Sequence, residues 1–231
     1  MRFNNFPPGV AATGGYGAAV AVAYVATGES ASNLTQYTFS GFAIGAAAAN
    51  RVIVVGVGTE GNNNASGAIS GTIGGIVATA PTELQANPDV GTKVLSAIMY
   101  ATVPTGTTAD VVVNVSAAPD NCTVIVWTML KDTGPAAVHT DVGTDGTQTS
   151  GTQLSMAVEC LKNGSVIVNT VAGATAAGTI GGTGFTSDAS IGTSSNTQLT
   201  GGHGDFTTAG TKTATTASLT NEKAGVAAAF R

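Results

Sequence analysis

The sequence predicts an all-β protein, an antiparallel β-sandwich or jelly roll, and three observations predict this fold class. Short apolar segments rich in Val, Ile and Thr recur about every ten residues. Gly, Pro, Asn and Ser separate these segments, which is typical of turns between strands. No stretch of the chain has the apolar periodicity of an amphipathic helix.

The first 15 residues predict an extended N-terminal arm. Pro7 and Pro8 exclude a helix interior and favour an extended path. Phe3 and Phe6 precede them and give the arm two large apolar side chains. We expect Phe3, Phe6, Pro7 and Pro8 to form an interaction segment. They dock either on the protein's own core or on a neighbouring subunit, and the sequence leaves both alternatives open.

The first part of the chain predicts seven strands. Residues 51–59 form a continuous apolar run, which is typical of a central strand buried on both faces. The turn-forming segment that follows residue 103 predicts that 94–103 and 109–115 are antiparallel partners. Trp127 lies in the middle of the most apolar strand, and we expect it to anchor the core. The predicted strands cover residues 20–25, 36–44, 51–59, 72–78, 94–103, 109–115 and 121–130.

The second part predicts six further strands. Asn163-Gly164 lies between two apolar runs and predicts a hairpin with a type I′ two-residue turn. The last run of the chain predicts a core strand that closes the sheet. The predicted strands cover residues 153–161, 165–171, 184–190, 195–200, 211–219 and 223–230.

Length and strand number favour a single β-sandwich domain over residues 16–231, following the arm at 1–15. Segment 131–151 is rich in Gly, Thr and Asp and predicts a long loop. A split into two sandwiches at this loop is the alternative. The segments 51–57, 164–171 and 223–230 share a loose pattern in which a polar residue at or near the start is followed by an apolar run. We interpret them as similar central strands and not as a solenoid repeat.

Charged residues are scarce, at 9% of the chain against about 25% in an average globular protein. The net charge is −5, and the eight Lys and Arg residues are dispersed. Binding to nucleic acid or to an anionic membrane needs clustered positive charge, so neither partner is expected. The apolar run at 18–25 is too short to span a bilayer. Low charge favours close packing against other proteins, since few charges then lose water.

The two cysteines lie in separate apolar segments. Cys122 and Cys160 are either two buried free thiols or, if their strands face each other, one disulfide. The count excludes a disulfide framework and a cysteine-based zinc site.

The candidate motifs for cofactor or metal binding lack the neighbouring elements or residues that such sites need. Residues 56–61 fit G-x-G-x-x-G after a strand, but turn residues follow where dinucleotide binding needs a helix. Asp141 and Asp145, near Asp132 and His139, lack the spacing and the closing Glu of a calcium loop. We therefore expect no cofactor and no metal ion, and we interpret the Asp-rich segment as a surface turn.

His203 and Asp205 form one of two His–carboxylate clusters in the sequence, the other being 139–141. A Ser–His–Asp triad would need a nucleophile on a sharp turn, and the chain has no G-x-S-x-G motif. We interpret His203 as a loop residue packed over Phe206. No catalytic residue is predicted, so we expect that the chain is not an enzyme. A hydrolase that uses His203 and Asp205 is the least favoured function.

Four segments resemble β-sandwich virion proteins of tailed bacteriophages: 51–57, 99–113, 122–130 and 225–231. These segments are strand and turn patterns. The resemblance implies a jelly-roll-like, oligomeric subunit on a capsid or tail, and it brings no catalytic residues. We therefore expect a non-enzymatic virion structural protein, such as a capsid decoration (cement) protein or a tail or fibre component. Its expected partners are other virion proteins and copies of itself.

Two further expectations accompany this function. The first eight residues lack the apolar stretch of a secretory signal peptide, so we expect synthesis in the host cytoplasm and residence in the virion. The alternative function is a host-recognition module that binds a surface glycan through loops such as 131–151 and 201–206.

Overall fold

A computed structural model describes residues 21–62, 68–86, 92–131, 139–147, 152–173, 178–192, 197–216 and 222–231. Phe3, Phe6, Pro7 and Pro8 of the predicted arm lie outside these residues. Within them every regular element is a β-strand and the strands pair antiparallel, so the all-β prediction is confirmed. The described part of the chain contains no helix of the length and apolar character needed to cross a membrane.

The strands divide into an N-terminal half, β1 to β9, and a C-terminal half, β10 to β17, because each sheet draws its described strands from one half. The strands of the N-terminal half are β1 (Val22–Ser30), β2 (Gln36–Ala43), β3 (Arg51–Asn62), β4 (Ile69–Ile73), β5 (Ile76–Val77), β6 (Thr79–Ala86), β7 (Thr92–Thr102), β8 (Thr108–Val115) and β9 (Asn121–Leu130). The strands of the C-terminal half are β10 (His139–Thr147), β11 (Ser155–Cys160), β12 (Gly164–Ala172), β13 (Ile180–Gly181), β14 (Thr186–Gly192), β15 (Gln198–Phe206), β16 (Gly210–Thr216) and β17 (Lys223–Phe230).

The strands form four sheets, which stack as four layers. The N-terminal outer sheet has the order β2-β8-β4-β5, and the N-terminal inner sheet has the order β1-β9-β3-β7-β6. The C-terminal inner sheet follows with the order β10-β17-β12-β15-β14, and the C-terminal outer sheet has the order β11-β16-β13. Three buried apolar clusters fill the spaces between successive layers. The inner sheets are therefore covered on both faces, which explains the continuous apolar runs of β3, β9, β12 and β17.

Both halves have the same strand order. Replacing β1, β9, β3, β7 and β6 by β10, β17, β12, β15 and β14 converts one inner sheet into the other, and β2-β8-β4 corresponds in the same way to β11-β16-β13. The register agrees as well, since Gly56 of β3 pairs with Ile98 and Asn169 of β12 pairs with Gly201. The edge strands β6 and β14 each have a bulge beside these two partners. The chain thus contains the same sheet arrangement twice.

Equivalent faces of the two inner sheets meet in the middle core. Trp127 is fully buried there, which confirms it as a core anchor. Its ring occupies space that a side chain at Gly201 would fill, because a Cβ atom there would lie 2.6 Å from Trp127 Cζ2. Gly56 similarly leaves room for the amide of Asn169. The missing side chains let the backbones of the two sheets approach closely at these points.

Two predicted strand pairs are wrong. β7 and β8 lie in different sheets, and β11 and β12 also lie in different sheets, so each connection crosses from one layer to the next. A turn does form, but its central residues are Lys162 and Asn163, one position before the predicted pair, because Gly164 N donates to Leu161 O (3.0 Å) and Gly164 begins β12. Of the two central residues only Asn163 has a positive φ, of 59°. A type I′ turn needs positive φ at both central residues, so this turn is of another type.

The predicted loop at 131–151 is also partly wrong, because residues 139–147 form strand β10. The strands of the two halves separate between residues 131 and 139, while the middle core joins the halves. The single domain over 16–231 and the split near 131–151 both stay predictions. Segments 51–57, 164–171 and 223–230 all lie in central strands of the inner sheets, in agreement with their interpretation.

Replacing Gly201 by Val tests the close approach of the inner sheets. We expect the free energy of unfolding to fall by roughly 2 kcal/mol, because the new side chain collides with Trp127 in a packed core. Urea denaturation measures the change. Thr213→Val on the exposed face of the C-terminal outer sheet is the control and should shift the value by less than about 0.5 kcal/mol. Wild-type stability of Gly201→Val would contradict the packing described here.

Candidate functional site

His203 lies in strand β15 and not in a loop, so its predicted position is wrong. Its Nδ1 atom lies 2.7 Å from Asp188 Oδ2 of β14, and the Trp127 indole Nε1–H donates to the same oxygen at 2.7 Å. Asp205, the expected partner, accepts a hydrogen bond from Ser165 Oγ at 2.6 Å. Phe206 packs edge-on against Phe185.

The Trp127–Asp188–His203 group joins the two inner sheets, since Trp127 comes from the N-terminal half and the other two residues from the C-terminal half. The hydrogen bond to Asp188 raises the pKa of His203, burial opposes this shift, and the charges of Asp188 and Asp205 add to it. The Ser165 hydroxyl donates to the Asp205 carboxylate, and His203 Nδ1 lies against the Asp188 carboxylate. This geometry supports an interface role better than nucleophilic catalysis.

Asn169 forms the centre of the same interface. Its Nδ2 atom lies within hydrogen-bond distance of Val57 O (2.9 Å), Ser96 Oγ (3.0 Å) and Ala97 O (3.2 Å) across the sheets. Ser96 Oγ donates in return to Asn169 O at 2.9 Å. Among the described residues, Asn169 Oδ1 is buried without a hydrogen-bond partner, and it lies against Gly56. A buried polar network of this kind fixes one register between the two sheets, because a shifted register would leave more groups unpaired.

Glu60 forms a third polar group at another edge of the interface. The carboxylate is 7% exposed and accepts hydrogen bonds from Thr197 Oγ1 of the C-terminal half and from Asn121 Nδ2 (3.5 Å). Asn121 Nδ2 also donates to Thr197 Oγ1 at 2.6 Å. The pKa of Glu60 is raised to about 7, mainly by burial; the hydrogen bond from Asn121 opposes this shift, and the charges of Glu222 and Asp120 contribute to it. The carboxyl group therefore takes up its proton near neutral pH.

A fourth contact closes the interface near the end of the chain. The Tyr100 hydroxyl lies 2.7 Å from His139 Nδ1 of β10, and the Tyr100 ring packs edge-on against Phe230 at 5.5 Å between centroids. Burial raises the pKa of the Tyr100 phenol, so the group stays neutral and keeps its O–H. The four contacts together connect the halves through side chains that lie 39 to 137 positions apart in the sequence.

The residues considered for metal and cofactor binding have structural partners. Asp141 Oδ2 accepts from Glu159 N (2.7 Å) and Asp145 Oδ2 from Ser155 N (2.6 Å), so both carboxylates bind the backbone of β11. Asp132 lies outside the described residues. Residues 56–61 continue strand β3 to Asn62. No group of three potential metal-ligating side chains occurs in the described part of the chain.

Both cysteines are buried free thiols. Cys122 belongs to the core beneath the N-terminal outer sheet, and Cys160 belongs to the core beneath the C-terminal outer sheet. Burial raises the pKa of both thiols. Of the two alternatives left open by the sequence, the structure therefore has the free thiols and not the disulfide.

The outward faces of the two outer sheets are broad and almost uncharged. Asp110 is the charged residue of the N-terminal outer face, and its carboxylate accepts a hydrogen bond from Gly41 N (2.8 Å). Glu159 is the charged residue among the described side chains of the C-terminal outer face, and it accepts a hydrogen bond from Thr211. Most of the other described side chains that point outward from the paired strands are small or polar: Gln36, Thr38, Ser40, Ala43, Ser70, Thr72, Thr108, Val112, Asn114, Ser155, Ala157, Thr211, Thr213 and Thr215. Val77 of β5 also points outward and is an apolar side chain that is 80% exposed.

Two concave surfaces lie outside the interface. A cleft of about 460 Å³ beside the C-terminal outer sheet is lined by Phe206, Lys212 and five small residues: Thr183, Gly184, Thr208, Thr211 and Thr213. The Lys212 Nζ atom lies 4.9 Å from the centre of the Phe206 ring. A second, mainly apolar groove of about 350 Å³ lies where β1 begins.

Sequence reasoning missed the interface residues because their partners come from other sheets. One local signal existed, since Asn169 interrupts an otherwise apolar strand. A lone amide in such a strand indicates a buried partner. Nothing near Glu60, Asp188 or Thr197 in the sequence indicates that each of them reaches across an interface.

The buried carboxyl of Glu60 predicts a pH-dependent stability. Because the folded-state pKa lies above the ordinary value of 4.5, the folded protein binds more protons than the unfolded chain between these values. Stability is therefore highest at low pH with respect to this group, and roughly 3 kcal/mol is lost as pH rises from about 4.5 through 7. Glu60→Gln should remove this loss, as measured by urea denaturation between pH 5 and 8.

Glu29→Gln is the matched control, because Glu29 is exposed on β1 and should leave the pH dependence unchanged. A Glu60→Gln protein that loses stability with pH as the wild type does would show that another group causes the effect.

Comparison of the sequence with protein families and with curated proteins identifies no relative of the chain. No protein-family model matches the chain, and no curated protein matches it. The strand order, the interface and the outer surfaces are therefore the basis for the functional proposal.

Proposed function

We propose that the chain is a non-enzymatic structural subunit of a tailed-phage virion, such as a capsid decoration protein or a tail or fibre component. The strand order is the observation that supports this most. In the C-terminal half, an inner sheet whose strands follow the order first-eighth-third-sixth faces an outer sheet with the order second-seventh-fourth. The N-terminal half has the same order when its additional short strand β5 is left out of the count. We infer that each half is a jelly roll, a fold that recurs in viral capsid and lectin domains. This link from fold to function is an analogy.

The outer surfaces support a packing role independently of the fold. Among the described residues each outer face carries one carboxylate, Asp110 or Glu159, so both faces can approach another protein without removing many charges from water. The partners proposed are copies of the chain and other virion proteins, and the proposed location is the virion. The structural roles found for His203, Asp205 and Ser165 support the non-enzymatic character.

Gradient-purified particles of the phage that encodes the chain provide the test. Immunogold labelling with an antibody against the chain should decorate intact particles at one repeated position, and mass spectrometry should find the chain in them. A chain that is abundant in the infected-cell lysate but missing from the particles would overturn the proposal.

The outer faces are tested separately by inserting charge. Thr38→Lys and Thr213→Lys place an ammonium group on the N-terminal and C-terminal outer face, where both threonines are exposed. We expect wild-type unfolding temperatures and reduced incorporation into particles, because the new charge must lose water on packing. Thr38→Ser and Thr213→Ser are the matched controls and should incorporate normally. Normal incorporation of both Lys variants would exclude these faces as the packing surfaces.

A glycan-binding module for host recognition is the second candidate function. The cleft beside Phe206 supports it, because an aromatic ring next to hydroxyl groups and a Lys side chain is an arrangement that can bind sugars. Of the predicted glycan-binding loop 201–206, Phe206 lines this cleft, and the loop prediction is wrong because these residues belong to strand β15. A glycan array should show binding that Phe206→Ala abolishes and Phe185→Leu retains. If the chain binds no glycan and the particles still assemble, glycan binding is excluded and the structural role is the function that stays.

A further inference from the structure

The apolar groove at the start of β1, here called the arm groove, has a fixed shape. Its floor contains Ile44 and Met129, which are buried, and its rim contains Leu130, which is 51% exposed. Arg51, Thr128, Gly45 and five alanines complete the lining: Ala21, Ala23, Ala46, Ala47 and Ala48. The groove therefore presents a mainly apolar surface beside the point where the described chain begins.

Arg51 holds one wall of the arm groove in place. Its side chain is 1% exposed and donates hydrogen bonds to five backbone carbonyls. Two of these carbonyls belong to Gly45 and Ala46 of the wall, at 2.8 and 2.7 Å. The other three belong to Val103, Thr105 and Gly106 (2.7 to 2.9 Å). The wall is thus formed before any ligand binds, and the guanidinium donors are occupied within the chain, so the groove favours an apolar ligand.

The chain itself supplies an apolar segment next to this groove. Twenty residues precede Ala21, and they include Phe3 and Phe6. Phe6 lies 15 positions before Ala21, a length that reaches up to about 50 Å when extended. Glycines at four of the intervening positions permit the chain to reverse direction. Both aromatic rings can therefore reach the groove of the same molecule.

We propose that Phe3 and Phe6 dock into the arm groove of their own chain. A tethered segment of this length has an effective concentration of about 1 mM at its own groove, whereas the groove of a second copy competes only at the bulk protein concentration. Micromolar solutions therefore favour docking within one chain. The sequence leaves open whether the arm docks on its own chain or on a neighbouring subunit, and we propose its own chain. This docking does not depend on the proposed virion function.

Labelling of a cysteine at the rim tests this docking. In full-length Leu130→Cys, the new thiol should react with a maleimide about tenfold more slowly than in the same protein with Phe3→Ser and Phe6→Ser, since a docked arm covers it about nine-tenths of the time. The native Cys122 and Cys160 are buried and supply a slow background, which the parent chain measures. Phe3→Leu with Phe6→Leu should retain most of the protection, because the side chains stay apolar.

Val77→Cys is the matched control, since Val77 is 80% exposed on β5 and should react equally fast in all arm variants. Equal labelling rates at Leu130→Cys with and without the aromatic rings would overturn the proposal. Protection that increases with protein concentration, together with a dimer in light scattering, would also overturn it in favour of a second copy as the partner. Matching unfolding temperatures among the variants exclude unfolding as the cause.

Discussion

The close packing of the two inner sheets is the constraint on which the rest of the structure depends. Each inner sheet is buried on both faces, so its side chains must fit a neighbour above and a neighbour below. Gly56 makes room for Asn169, and Gly201 makes room for Trp127. In return, the Asn169 amide reaches Val57 and Ser96 across the interface. Complementary small and large residues therefore fix how the two halves meet, and the polar contacts determine their register.

The repeated strand order explains where the polar contacts lie. Because equivalent faces meet, the middle core resembles the interface of a two-fold dimer built within one chain. The centre of this interface combines apolar side chains with the uncharged Asn169–Ser96 network, and titratable side chains such as Glu60, His139 and His203 lie toward its edges. Charged groups are therefore kept away from the centre, as in interfaces between separate proteins. Protonation of Glu60 favours the packing of the two halves against each other, because a neutral carboxyl group loses less hydration free energy on burial than a carboxylate does.

The sequence predicts the strands better than their partners. Apolar β-branched runs identified β3, β9, β12 and β17 because burial on both faces needs apolar side chains at every position. β6 and β10 were missed, since they are edge strands with polar sequences, Thr-Ala-Pro-Thr-Glu-Leu-Gln-Ala and His-Thr-Asp-Val-Gly-Thr-Asp-Gly-Thr. Turn residues at Asn163 indicate that the chain reverses, but they do not determine whether the next strand joins the same sheet or the next layer. The site residues could not be predicted, because contacts such as Glu60–Thr197 join positions 137 residues apart.

Packing of the inner sheets also determines which surfaces are left for partners. The two halves bury their most apolar faces against each other, so any further association must use the outer sheets, the edges or the concave surfaces. On the outer sheets the charges of Asp110 and Glu159 are bound to Gly41 and Thr211, which lowers the cost of covering them. The scarcity of charge in the sequence therefore has two separate structural consequences. It permits four layers to stack inside the molecule, and it leaves two outer faces that another protein can cover without breaking salt bridges.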